Sequence, residues 1–256
     1  MKSDDYEACM RQFEWLGRVR VPPECYIVLR LDGKGFSQFT YKRFEKPFDA
    51  RMSEMMVKAA TVLMKEFGAI YAFTESDEMS LVLPPSFDLH DREVEKLTSI
   101  SAGIVSSAFT FELCKAELAQ GVDYVAFDSR VWCSENTQRV VDYFRWREAD
   151  ALRCGLNAWA YWTLRKSGKS EGQATSALNG KGSDFKNELL FERGMNFNDV
   201  PLWQKRGVGI YWETFQKPAT NRLTGQPVLA ERRRLKVDRE LPAKDAYSEL
   251  VRRIIA

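Results

Sequence analysis

The chain has 256 residues, 45% hydrophobic and 29% charged, with 38 Lys/Arg against 36 Asp/Glu. That supports a sizeable core in one large domain or two small ones, and it excludes a disordered chain. A single histidine and five cysteines with no Cys-x-x-Cys spacing exclude a His-ligated metal, a disulfide framework and a cysteine zinc site. Chemistry must therefore rest on carboxylates, hydroxyls, Lys and Arg. The acidic N-terminus has no apolar leader segment, and the uncharged stretch 97–111 is short for a bilayer. The expectation is a cytoplasmic protein with no membrane partner.

In chain order, residues 25–31 (C-Y-I-V-L-R-L) form a β-branched apolar run that predicts a buried strand. It stops at the turn residues Asp32-Gly33-Lys34-Gly35. Residues 48–67 repeat Met52, Met55, Met56, Ala59, Leu63 and Phe67 at helical spacing, with Asp49 at the start and Gly68 at the exit. Two short strands, 69–74 and 79–83, flank a turn at 75–78. A helix over 92–120, a strand over 123–133 and a helix over 136–166 follow. Residues 167–184 read as a loop with at most a short helix, and 208–215 as a late strand. Beyond lies a polar, basic tail. Residues 200–256 carry 12 Lys/Arg against 6 Asp/Glu, whereas 1–199 carry 26 against 30. An acidic body beside a basic end fits carboxylates that hold cations next to a surface that meets a polyanion, or simply a solvated face.

This order predicts an α+β fold with an antiparallel sheet flanked by helices. Residues 1–135 would form the core, and a helical, basic part over 136–256 would complete it. Such a sheet brings Asp32, at the end of the first strand, to the hairpin acids Asp77 and Glu78. Converging carboxylates repel unless a cation joins them, and Mg²⁺ accepts one or two carboxylates plus substrate phosphates. Gly33 and Gly35 allow close backbone approach, and Lys34, Lys46 and Arg51 are placed to neutralise a triphosphate. From the residues alone, the metal site and an ordinary pair of polar turns both stand. Gly168-Lys169-Ser170 lacks the earlier glycine of a P-loop, since position 163 is Thr163. The arginines interleaved with aromatics at 143–153 fit a buried core or RNA stacking.

Five motifs in order resemble the tRNA(His) guanylyltransferase superfamily, the 3′–5′ polymerases of RNA 5′ ends. They are R-L-D-G-K-G-F at 30–36, E-K-P-F-D-A-R at 45–51, E-S-D-E-M-S-L-V at 75–82, Y-F-R-W-R-E-A-D at 143–150 and K-N-E-L-L-F at 186–191. The resemblance implies a palm-like catalytic sheet with two Mg²⁺ ions held by Asp32, Asp77 and the Gly33 carbonyl, with Glu78 in support. It implies nucleotide contacts from Arg30, Lys34, Gly35, Phe36, Ser37, Lys46, Ser76 and Lys96, with ATP, GTP or another NTP as substrate. It places Arg145, Arg147, Asp150, Lys186 and Asn187 near the RNA, and Arg232, Arg233 and Arg234 are added from the basic tail. It also implies a tRNA partner and a homo-tetramer built as a dimer of dimers. One segment departs: the tRNA(His)-specific enzymes carry His-Ile-Asn-Asn where this chain has Leu152-Arg153-Cys154-Gly155. That departure is closer to the branch that repairs truncated tRNA 5′ ends by templated addition. A palm-type nucleotide cyclase and a non-catalytic RNA-binding protein are the alternatives.

Overall fold

The computed structural model describes residues 3–14, 19–220 and 225–256. Its centre is one six-stranded, wholly antiparallel sheet in the order β4-β1-β3-β2-β5-β6. In chain order the elements are α1 (Ser3–Arg11), β1 (Tyr26–Gly33), α2 (Phe36–Tyr41), α3 (Ala50–Phe67), β2 (Tyr71–Glu75), β3 (Glu78–Leu83), α4 (Val94–Lys115) and β4 (Phe127–Ser134). Then come α5 (Thr137–Lys166), α6 (Glu171–Leu178), α7 (Ser183–Phe191), α8 (Trp203–Arg206), β5 (Val208–Thr220), β6 (Pro227–Asp238) and α9 (Lys244–Ile255). The first four strands with α3 and α4 form the split β-α-β-β-α-β arrangement.

Period-2 alternation along β1 sends Ile27, Leu29 and Leu31 to one face, where α3 and α4 cover them. Val28 joins Tyr71, Phe73 and Val82 on the other face, under α5 and α9. A third apolar cluster joins the second half of α5 to α6 and α7. α3 has the start and stop that its sequence predicts. Asp49 caps it by accepting from the Arg51 amide at 2.8 Å, and Gly68 ends it at φ 63°.

One expectation changes. α4 is long and apolar enough to cross a membrane by length and composition, contrary to the reading of its uncharged stretch. Its Leu97, Ser101, Val105, Phe109 and Leu113 instead pack onto the sheet. The short helix allowed within 167–184 is α6, whose capping box pairs Ser170 with Gln173. The basic tail, to which the sequence assigns no element, is a hairpin and a helix. β5 runs on to Thr220 and pairs with β6 over 12 residue pairs before α9. Both arms are largely exposed there, so no hydrophobic period marks them as strands.

Candidate active site

Register places the acids. Asp32 on β1 sits opposite Glu78 on β3 and Asp128 on β4, and Glu78 sits opposite Glu75 on β2. Paired residues of an antiparallel sheet share a face, so Asp128, Asp32, Glu78 and Glu75 form a row across four strands, beneath α5. One row further in, Arg130, Arg30 and Ser80 stand on the same three strands, β4, β1 and β3. Asp77 lies in the two-residue turn Ser76-Asp77 between β2 and β3, with Ser76 in the left-handed region at φ 50°. The Gly33 amide donates to the Asp77 carbonyl at 3.1 Å, which ties the end of β1 to that turn.

Burial raises the Asp32 carboxyl above its ordinary range and Asp128 adds to it, against the pull of Arg130, Arg30 and Arg147. Burial also raises Asp77, with Asp32 adding, while the Ser76 hydroxyl (3.0 Å to Oδ1) and Lys46 oppose it. Among the described residues no hydrogen bond or ion pair reaches the Asp32 side chain. Two mutually repelling carboxylates, neither in a direct ion pair among the described residues, favour a bound cation. No group of three or more His, Cys, Asp or Glu among the described residues is placed to hold a metal. Asp32, Asp77 and the Gly33 carbonyl therefore offer an oxygen-only, incomplete set. That suits Mg²⁺, which keeps waters and takes substrate phosphates for the rest.

A cleft of about 960 Å³ opens beside this turn, lined by Ser37, Thr40, Lys46, Ser76, Asp77 and Trp162 among others. Lys46 Nζ donates to Thr40 Oγ1 at 2.6 Å. Burial lowers its pKa, with Asp77 and Asp49 pulling the other way. The segment carrying Lys46 is pinned by Asp49, whose Oδ2 accepts from the Glu45 amide at 2.9 Å. Gly35 opens α2 at φ 71°; Ser37 lines the cleft, and Lys34 is exposed outside that lining. Phe36 is different. Its ring is buried among Phe39, Phe109 and Phe127 at centroid distances of 5.0–5.4 Å, so it anchors the loop from the core side. Arg30 stands in the second row with its guanidinium over Trp146, 5.7 Å from the ring centroid.

Lys96 does not join the site. Along α4, Ser106 is level with Phe127 and Ser101 with Ser129, so Lys96 lies toward the Tyr26 end of β1, away from Asp32. It pairs with Glu93 at 2.9 Å.

The residues expected to meet RNA fall into separate places. Arg147 does not face out: its side chain is 6% exposed and pairs with Glu75 (2.6 Å), Glu78 (2.7 Å) and Asp150 (3.0 Å). Burial still drives Glu75 up to about 8 and Glu78 up to about 6, because one guanidinium cannot neutralise both. Asp150 also accepts from Arg153. Arg145 reaches α9, donating to Asp245 (2.6 Å) and Ser248 (3.1 Å). Lys186 and Asn187 line a second cleft with Arg153 between α5 and α7. Arg232, Arg233 and Arg234 are exposed on β6. Arg233 lies over Trp212, and Arg234 lies over Phe215 and pairs with Glu213 at 2.6 Å. Sequence reasoning missed Asp128 and Glu75. The alternation of Phe127, Ser129 and Val131 with Asp128 and Arg130 carried the signal for the first.

A sequence profile described as tRNAHis guanylyltransferase matches residues 7–135, and one described as Thg1 C terminal domain matches 138–251. The chain belongs to the tRNA(His) guanylyltransferase family. The tRNA(His) guanylyltransferase of Schizosaccharomyces pombe is 38% identical over 202 residues, 77% of each chain. The crystal structure of the Saccharomyces cerevisiae enzyme superposes with a TM-score of 0.72 at 32% identity, covering 79% of this chain and 91% of that one. A bacterial guanylyltransferase-like protein in complex with ATP superposes with a TM-score of 0.80 at 23% identity, covering 98% and 99%, and shows the shared fold. Members of the family add nucleotides to tRNA 5′ ends, and this chain is a nucleotidyltransferase of that family.

Proposed function

We propose that this chain extends the 5′ end of tRNA in the 3′–5′ direction, with the base opposite the growing end choosing the nucleotide. The observation that carries the reading is the meeting of Asp32, Asp77 and the Gly33 backbone beside the Lys46-lined cleft, with no protein cation on Asp32. Asp32, Asp77 and the Gly33 carbonyl would hold Mg²⁺, which when bound lowers the pKa of an attacking hydroxyl and neutralises a leaving phosphate. Phosphoryl transfer otherwise needs positioning and charge compensation. Lys46, Lys34 and Ser37 would bind the triphosphate, and Ser76 would hold Asp77 in place. The 3′-hydroxyl of the incoming NTP attacks the 5′ phosphorus of the RNA. Pyrophosphate leaves from a 5′-triphosphate end, or AMP from an end activated by ATP.

A base-paired strand supplies the choice of nucleotide, so the protein reads backbone and shape. The departure at Leu152-Arg153-Cys154-Gly155 supports repair over tRNA(His)-specific addition. At Gly155 a Cβ would lie 2.6 Å from the Gln204 carbonyl, so a side chain there needs α8 to shift. A tetramer with tRNA across subunits, acting in the cytoplasm, is the assembly that the resemblance supports.

The test is extension of a 5′-truncated, 5′-triphosphorylated tRNA with Mg²⁺ and each NTP separately. Only the complementary nucleotide should be added. Addition of G alone, whatever stands opposite, would overturn the templated reading. A cyclic product from nucleotide alone would favour a cyclase. Asp32→Ala and Asp77→Ala should each abolish transfer while tRNA binding, read by filter retention, survives.

A further inference from the structure

The four-carboxylate row is not uniform. Its Glu75–Glu78 half is filled by Arg147, which descends from α5 as a buried guanidinium. Nη2 donates to both Glu75 Oε1 and Asp150 Oδ2, and Nε lies 2.7 Å from Glu78 Oε1 as an ion pair without hydrogen-bond alignment. Glu75 and Glu78 are the residues immediately before and after Ser76-Asp77. One side chain thus grips both strands at the base of the turn that carries Asp77. In the other half Asp128 pairs with the exposed Arg130 at 3.3 Å, and no ion pair reaches Asp32 among the described residues. Trp146 stacks on the same guanidinium, 4.6 Å from ring centroid to Cζ, and restricts its rotation. Asp150 holds it from within α5, at the (i, i+3) position.

We propose that Arg147 is a positioning residue, an internal counter-ion that locks the Ser76-Asp77 turn to α5 and excludes divalent cations from the Glu75–Glu78 half of the row. A divalent ion is thereby confined to Asp32 and Asp77. This rests on the metal reading given above. The role needs the forked geometry of Arg, since an ammonium is a single point of charge and cannot bridge three carboxylates at fixed angles. It replaces direct RNA contact as the reason for an arginine at this position.

The test uses the full chain, Mn²⁺ as the probe and two substitutions. In Arg147→Lys, bound Mn²⁺ measured by electron paramagnetic resonance should match the parent in number. Its kcat should fall by about tenfold to a hundredfold, because the turn is held less firmly, while the KM for NTP moves by less than about threefold. Arg147→Met should bind more Mn²⁺ than the parent, through the freed Glu75 and Glu78, without any nucleotide present. A parental kcat in Arg147→Lys would overturn the clamp, and an unchanged Mn²⁺ count in Arg147→Met would overturn the confinement. If Arg147→Met does not fold, Arg147→Met/Glu75→Gln, which removes one charge of each sign, carries the kinetic test: a depressed kcat supports the clamp and a parental one overturns it. A parent protein that binds no Mn²⁺ refutes the metal reading itself, a result distinct from either of these.

Discussion

Gly33 and Phe36 show how one missing side chain sets the site. A Cβ at Gly33 would collide with the Phe36 ring, which fills the space beside β1 and anchors the loop that follows. Gly33→Ala should destabilise the fold by about 1–3 kcal/mol, the usual cost of overpacking, as read by urea unfolding. Asp49 shows the same economy with charge. Its carboxyl falls to about 2: burial acts upward, and the Arg51 guanidinium and the Glu45 and Arg51 amides outweigh it. A folded value below the unfolded one means that the stabilisation is present above about pH 4 and disappears as pH falls toward 2. Arg51 is half exposed, so after discounting for solvent screening Asp49→Asn should cost about 1–2 kcal/mol at pH 7 and almost nothing at pH 2. The Asn Oδ1 can keep the cap to the Arg51 amide while its Nδ2 cannot accept from the Glu45 amide, so the pH-dependent part of the difference reports the charge.

At the scale of elements, sequence and structure agree where one face of an element is buried. α3 and β4 carry clean periods because a core lies against one side, β1 reads as an unbroken apolar run because both its faces are covered, and the Asp32–Asp77 convergence follows from their order. The β5–β6 hairpin has no such side beyond Trp212, and a strand reading Glu231-Arg232-Arg233-Arg234 gives no apolar alternation to detect. Partners across strands were hidden for a different reason. Glu75, Glu78 and Arg147 are each ordinary polar residues in sequence, and only the register and the docking of α5 bring them within ion-pair distance. Lys96, which the resemblance puts at the nucleotide, is carried by helix α4 toward the Tyr26 end of β1 in this chain. The hairpin itself is testable. Replacing Arg232, Arg233 and Arg234 with Ala should make the slope of log K against log salt for tRNA shallower by about 2 if all three meet phosphates. An unchanged slope would remove this strand from the RNA surface.

For the whole molecule, the sheet is one continuous frame that joins two different tasks. The β1–β4 half holds the acids and the β2 edge passes the ladder on to β5 and β6. Only Val208 to Tyr211 of β5 pair with β2. The remaining residues to Thr220 project past the palm, up to about 30 Å at the rise of an extended strand. The hairpin is therefore a lever with a short fulcrum: a rotation of about 5° at the root moves a tip about 30 Å away by roughly 2–3 Å. Whatever seats on that arm has leverage on Tyr71 and Phe73, and so on the strand that ends at Glu75.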